Sequence, residues 1–177
     1  MKKNFSTRRL VTCAALIALA YVLNNFMPKI KMPYGGSITL CSMFFIYVAS
    51  YLYGPKTGIF AAVCYGILDL LISPSVYHPL QVILDYPLAF GMLGVGGFAC
   101  KGKYSLQKGY IAGVLGRLLM CMISGAVFFA EYAPAGKNPW IYSLEYNAGY
   151  MIPEAIITLV LISIPTVYKA INRFKEI

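Results

Sequence analysis

The sequence has few of the groups that enzymes use for catalysis. His78 is the single histidine in 177 residues, which excludes two-histidine metal motifs and disfavours a serine–histidine pair. No glycine-rich phosphate loop ending in Gly-Lys-Ser/Thr occurs, so the chain is not expected to hydrolyse ATP itself. The five cysteines have no paired spacing, and most lie in apolar runs, where buried thiols are common. We therefore predict that the chain is not an enzyme and holds no metal ion or cofactor.

Charged residues are also scarce, at 12% of the chain, whereas soluble domains have about a quarter. In contrast, 59% of the residues are hydrophobic, and the mean hydropathy is +0.69. A membrane-spanning helix needs roughly 20 mostly apolar residues, and such stretches recur between loops rich in proline and glycine. They predict an all-α integral membrane protein, a six-transmembrane-helix bundle that forms a single membrane domain over residues 1–177. The predicted spans are 9–27, 37–53, 58–73, 79–98, 110–130 and 140–168.

The net charge of +9 comes from basic residues that fall mainly on one side of this topology. That side would hold Lys2, Lys3, Arg8, Arg9, Lys56, Lys101, Lys103, Lys108, Lys169, Arg173 and Lys175. The other side would hold Lys29, Lys31 and Lys137. Cytoplasmic loops of membrane proteins are enriched in Lys and Arg. Both termini are therefore predicted to be cytoplasmic, and the positive charge is no sign of nucleic-acid binding.

Most acidic residues fall in the opposite, outer half, and Asp85 lies inside the fourth span. A charge in hydrocarbon costs at least ~2.5–3.5 kcal/mol, so it normally faces a cavity or a partner. We predict a cavity, open to the outside and rich in polar and aromatic groups. Its predicted walls are Asp85, Gln81, Tyr86, Tyr142, Tyr146 and Asn147. A carboxylate among aromatic rings suits a flat organic cation. The alternative is an Asp85 that is protonated, or bonded to a neighbouring helix.

Arg117 and Glu154 fall at a similar depth in the fifth and sixth spans, about 20 Å from their outer ends by helical rise. They are predicted to form an ion pair at the floor of the cavity.

Two short segments each allow two interpretations. The first outer loop, 32–40, is either a lid over the cavity or a plain turn. Ala14 and Ala18, four residues apart, favour close helix packing within the bundle over docking of a separate membrane protein.

Several longer segments resemble one family. They are "GGSITLCSM", "YGPKTGIFAAVCYGILDLL", "HPLQVILDYPLAFGMLG" and "SGAVFFAEYAPAGKNPWIYSLEYNAGYMIPE". These segments are similar to ThiT proteins, the thiamine-binding S-components of energy-coupling factor (ECF) vitamin transporters. The resemblance runs from about Arg8 to Pro165, and "LDYPLAF" and "YSLEYN" are its most specific parts.

The resemblance implies a substrate-binding subunit in the bacterial cell membrane that captures thiamine from outside. Its implied partners are a transmembrane coupling protein and two ATPase subunits, which would use the ATP. By position, the implied thiamine contacts are Asp85, Tyr86, Tyr142, Tyr146, Asn147, Phe129, Arg117, Cys121 and Gly36. Asp85 would contact the aminopyrimidine, Phe129 would stack on it, and Tyr142 and Asn147 would lie near the thiazolium. Ala14 and Ala18 match the small-residue motif that docks the coupling protein, which reverses the preference stated above.

The sequence departs from the family at three positions. Cys121 stands where members commonly have histidine, and Asp85 where some have glutamate. Some members also have a tryptophan near Gly36, where the nearest ring here is Tyr34. The substrate is therefore thiamine, or alternatively a thiamine precursor or another vitamin. An autonomous permease or a small membrane enzyme is the alternative from a different class.

Overall fold

The computed structural model describes residues 7–26, 29–32 and 36–176, and these form a helical bundle. The helices are α1 (Thr7–Phe26), α2 (Ser42–Tyr53), α3 (Pro55–Ile72), α4 (Pro79–Ala99), α5 (Ser105–Phe128), α6 (Pro139–Ser163) and α7 (Pro165–Glu176). Between α1 and α2, the two-residue strands β1 (Ile30–Lys31) and β2 (Ser37–Ile38) pair antiparallel, with Ile30 opposite Ile38. The all-α bundle agrees with the sequence prediction.

Five of the described helices, α1 and α3 to α6, are long and apolar enough to cross a membrane. The second predicted span, 37–53, begins too early, because the helix α2 starts only at Ser42. The preceding residues belong to β2 and to a turn in which Cys41 has a left-handed φ of 58°. α2 has buried residues on every face, including Met43 and Tyr47, and is therefore the central helix of the bundle.

The sixth predicted span, 140–168, is too long, because α6 ends at Ser163. Pro165 disfavours helical backbone at the residue before it, and Ile164 is accordingly extended, with ψ of 125°. The remaining residues form α7, which contacts the end of α2. There the Tyr51 hydroxyl donates to Asn172 Oδ1 at 2.6 Å, and the Lys175 ammonium lies 4.3 Å from the Tyr51 ring.

Ala14 and Ala18 are both exposed on α1, whereas Cys13 and Ala20 are buried against the bundle. The interpretation that the two exposed alanines serve packing within the bundle is therefore wrong. The helix turns this small-residue face away from the rest of the chain.

Candidate functional site

A π-helical segment in the middle of α4, Leu84–Leu88, carries the candidate carboxylate Asp85. Its cause is Pro87, since proline has no N–H to donate and its ring crowds the carbonyl one turn earlier. Gly66 of α3 allows close approach here, because a Cβ at that residue would lie only 2.6 Å from the Tyr86 carbonyl oxygen. The widened turn thus lies against α3, with Asp85 inside the bundle. Such π-bulges are frequent at functional sites.

The Asp85 carboxylate is held within its own helix. Gln81 Nε2 donates to Asp85 Oδ2 at 2.6 Å, as expected for residues four apart on one helical face. The Ser124 hydroxyl of α5 also interacts with the Asp85 carboxylate, so Asp85 has a partner on a neighbouring helix as well, as in the alternative interpretation. The carboxylate also lines a cavity, where a ligand can reach it.

Asp85 lines a cavity of about 490 Å³ among α3, α4, α5 and α6. Its lining residues are Asp69, Ser75, Tyr77, Asp85, Tyr86, Phe90, Arg117, Cys121, Gly125, Phe129, Tyr132, Tyr142, Ser143, Tyr146, Asn147 and Tyr150. The cavity reaches the end of the bundle where the α3–α4 and α5–α6 loops meet. In the predicted topology this is the outer end, opposite the basic loops. Its volume lies within the range of about 300–1,000 Å³ that is usual for ligand pockets.

Eight of the ten residues that sequence and resemblance nominated line this cavity. These are Asp85, Tyr86, Arg117, Cys121, Phe129, Tyr142, Tyr146 and Asn147. Gln81 is not a lining residue, but its side-chain amide donates a hydrogen bond to the Asp85 carboxylate. Gly36 is also outside the lining. It has a left-handed φ of 72° and lies against Tyr150, where an added Cβ would be 2.5 Å from the ring.

One wall of the cavity is a row of tyrosines on α6. Tyr142, Tyr146 and Tyr150 are spaced by four residues and therefore share one helical face. The ring centroids of Tyr142 and Tyr146 are 6.5 Å apart, and those of Tyr146 and Tyr150 are 6.1 Å apart. Asn147 fixes the innermost ring, because its Oδ1 accepts from the Tyr150 hydroxyl at 2.9 Å. The wall offers several ring faces and edges to a planar ligand.

An aromatic cluster of Tyr77, Phe129 and Tyr132 lies at the end of the cavity. The Tyr77 and Phe129 ring centroids are 4.8 Å apart at an angle of 73°, an edge-to-face contact. The hydroxyls of Tyr77 and Tyr132 are 3.2 Å apart. This hydrogen bond raises the pKa of Tyr132 above its ordinary value. The cluster joins the α3–α4 loop to the α5–α6 loop.

The predicted ion pair between Arg117 and Glu154 is wrong: no such contact is present among the described residues. Glu154 is 3% exposed, and four donors from Thr39, Ser42 and Met43 bind its carboxylate instead. Two of them are backbone N–H groups at or before the start of α2, where the helix dipole favours a negative charge. Similar depth along two helices suggests Arg117 as the partner of Glu154, but it does not reveal these partners, which come from α2 and the residues before it.

Arg117 lies instead over the face of Phe90, with its Cζ 4.2 Å from the ring centroid. Its Nε is buried and has no hydrogen-bond partner among the described residues. The side chain separates the main cavity from a smaller inner one of about 200 Å³, which Asp69 and Glu154 also line. Arg117 thus lines the main cavity as a cation, as predicted. Its partner is the Phe90 ring and not the Glu154 carboxylate.

Sequence reasoning did not nominate several lining residues, namely Asp69, Ser75, Tyr77, Phe90, Gly125, Tyr132, Ser143 and Tyr150. Ser143 and Tyr150 were recognisable from their helical spacing with Asn147, and Asp69 from its charge near the end of a span. Ser75, Tyr77 and Tyr132 lie in loops, where periodicity gives no signal. Pro33, Tyr34 and Gly35, in the loop that we interpreted as a lid or a turn, lie outside the described residues.

Comparisons with known proteins agree with one another. A family model described as "Thiamine transporter protein (Thia_YuaJ)" matches residues 10–173. The thiamine transporter ThiT of Bacillus subtilis is 36% identical over 169 residues, covering 87% of this chain and 88% of its own. ThiT of Lacticaseibacillus paracasei is 34% identical over 121 residues, or 59% of this chain and 60% of its own. A solved structure of ThiT from Listeria monocytogenes shares the fold, with a TM-score of 0.69 at 24% identity, over 90% of this chain and 96% of that one.

Proposed function

Because this chain belongs to the thiamine transporter family, we propose that it captures thiamine from outside the cell as the substrate-binding subunit of an ECF importer. Family and curated relatives are transporters, which confirms the prediction that the chain is not an enzyme. The chain is a multi-pass protein of the bacterial cell membrane. The orientation with both termini in the cytoplasm remains a prediction, from the distribution of Lys and Arg.

The main support for the thiamine proposal is that one cavity combines a carboxylate with aromatic walls. Asp85 lines the cavity, and rings from two sides face the same space. Thiamine is a cation made of two flat rings, so it gains from the carboxylate by charge and from the tyrosines by stacking and cation–π contact. A second carboxylate, Asp69, lies in the same cavity and adds negative potential.

The family position assigns roles to individual residues within this proposal. Asp85 binds the aminopyrimidine, and Phe129 stacks on that ring. Tyr142 and Tyr146 lie beside the thiazolium with Asn147. Arg117 provides a basic group in the same cavity, which Cys121 also lines. Tyr86 has both hydroxyl functions occupied by Ser73 and Ser75, so it contributes its ring rather than a hydrogen bond.

Coupling to ATP requires other subunits in this proposal, because the sequence has no nucleotide-binding loop. The exposed face of α1 around Ala14 and Ala18 suits close approach of a transmembrane coupling protein. Two ATPase subunits would complete the importer. Proteoliposomes holding this chain alone should take up no thiamine, and adding the coupling protein, both ATPases and ATP should start uptake. Uptake by the chain alone would make it an autonomous permease instead.

Binding itself is tested by calorimetric titration of the purified chain with thiamine. We expect saturable binding with one thiamine per chain. A panel of the separate pyrimidine and thiazole halves and riboflavin addresses the alternative suggested by Cys121, which lines the cavity where relatives commonly have histidine. Tighter binding of a half-molecule than of thiamine would identify a precursor as the substrate. Absence of heat with all four compounds would contradict the vitamin-binding proposal.

A further inference from the structure

Gln81, at the start of α4, connects the candidate carboxylate to the loop over the cavity. It is 1% exposed, and its side-chain amide makes three hydrogen bonds. Nε2 donates to Asp85 Oδ2 at 2.6 Å and to the Ser75 carbonyl oxygen at 3.2 Å. Oε1 accepts from the Tyr77 backbone N–H at 3.1 Å. Two acceptors face Nε2 and one donor faces Oε1, so the contacts define the orientation of the amide.

Tyr86 provides a second attachment for the same loop. Its hydroxyl accepts from the Ser75 backbone N–H at 2.8 Å and donates to the Ser73 carbonyl oxygen at 3.1 Å. Gln81 and Tyr86 both come from α4, and Asp85 lies between them in contact with Gln81. The loop residues 73–77 are thus held by the helix that carries the candidate ligand-binding carboxylate.

Tyr77 ends this loop and reaches across the cavity. Its backbone is bound by Gln81, while its ring contacts Phe129 edge-to-face at a centroid distance of 4.8 Å. Tyr77 is 60% exposed and therefore gains little stability from burial. The position of Tyr77 depends on the Gln81 bond and on its contacts with the α5–α6 loop.

We propose that Gln81 is a positioning residue that links Asp85 to the 73–77 loop, so that a substrate bound at Asp85 stabilises the contact between Tyr77 and Phe129. This inference rests on the proposed capture of thiamine. A ligand bound at Asp85 fixes the carboxylate, the carboxylate fixes the Gln81 amide, and the amide fixes the Tyr77 backbone. Since the ligand leaves past Tyr77, the link acts mainly on the dissociation rate, which is where affinity differences usually lie.

The test is thiamine binding kinetics of the full chain with Gln81→Met, which keeps the length of the side chain but makes none of the three bonds. The matched control is Gln107→Met at the opposite end of the bundle, where Oε1 is buried without a partner among the described residues. We expect Gln81→Met to raise the thiamine dissociation rate about tenfold and the association rate less than threefold, the size expected for a lost hydrogen bond. Gln107→Met should change neither rate by more than about twofold.

Hydrogen–deuterium exchange separates the link from a general loss of structure. In the wild type, thiamine should slow the exchange of the 73–77 amides. In Gln81→Met this slowing should be lost, while exchange in the interior of α5 stays as in the wild type. An unchanged dissociation rate, or intact ligand-dependent protection of the loop, would overturn the role of Gln81. Failure of the wild type to bind thiamine would instead overturn the proposed function.

A second variant keeps the inference testable if Gln81→Met does not fold. Tyr77→Ala removes an exposed ring and leaves the contact between Gln81 and Asp85 intact. It should also raise the dissociation rate with little change in association. The double variant should release thiamine no faster than the faster single variant, because both act through the same closure. A dissociation rate that Tyr77→Ala leaves unchanged, or multiplied effects in the double variant, would refute the link.

Discussion

Replacing Glu154 with glutamine removes the charge of a buried side chain that accepts four hydrogen bonds. Its Oε2 accepts from Thr39 N at 3.3 Å and Thr39 Oγ1 at 2.6 Å. Its Oε1 accepts from Ser42 Oγ at 3.1 Å and Met43 N at 3.3 Å. A glutamine has one carbonyl oxygen, so its NH₂ group must face one of these pairs. Whichever way it turns, one buried backbone N–H meets a donor instead of an acceptor.

The expected cost follows from that mismatch. An unsatisfied buried donor costs about 1–3 kcal/mol, and the other bonds lose the strengthening that an ionised acceptor gives. We expect Glu154→Gln to lower the free energy of unfolding by about 2–4 kcal/mol in total. For a chain of this size, this corresponds to a fall in melting temperature of roughly 5–10 °C.

Thermal unfolding of the purified protein in detergent measures this effect. Glu145→Gln is the matched control, because it makes the same change on the same helix. Glu145 pairs with Lys137 at the surface, where ion pairs contribute little, so its melting temperature should shift by about 1–2 °C at most. Equal shifts for the two variants would refute the account in which Glu154 anchors the start of α2 and the residues before it.

Three further predictions concern the helices. Gly66→Ala places a Cβ 2.6 Å from the Tyr86 carbonyl oxygen, so it should destabilise the protein by about 1–3 kcal/mol and weaken thiamine binding in calorimetry. Gly149→Ala meets no atom within 4 Å and should instead raise the melting temperature slightly, as alanine favours helix. Tyr51→Phe removes the 2.6 Å bond to Asn172, so limited proteolysis should cleave α7 faster while thiamine affinity is unchanged. Equal proteolysis rates would contradict an attachment of α7 through this bond.

The parts of the site that the sequence predicts are those set by spacing along one helix. Gln81 and Asp85 meet because they are four residues apart, and Tyr142 and Tyr146 share a face for the same reason. Hydrophobic run lengths likewise predict the membrane helices, since each needs a minimum length of apolar residues. These features are local, so they can be predicted without knowledge of the tertiary fold.

The features that the sequence does not predict depend on contacts between distant segments. Glu154 binds Thr39 and Ser42, more than 100 residues earlier in the chain, and no periodicity reports that pairing. The same holds for Tyr77, which reaches the cavity only because its loop is bound to α4. Arg117 lines the cavity, but its position along α5 does not reveal that its partner is Phe90.

In the proposed function, the Asp85 carboxylate in the aromatic cavity binds thiamine. The direct test is the thiamine dissociation constant of Asp85→Asn against the wild type, with Glu145→Gln as a control that removes a negative charge outside the cavity. Loss of a charge-assisted hydrogen bond should weaken binding by about 10- to 100-fold in Asp85→Asn. Glu145→Gln should remain within about twofold of the wild type. Equal affinities of Asp85→Asn and the wild type for thiamine would contradict the claim.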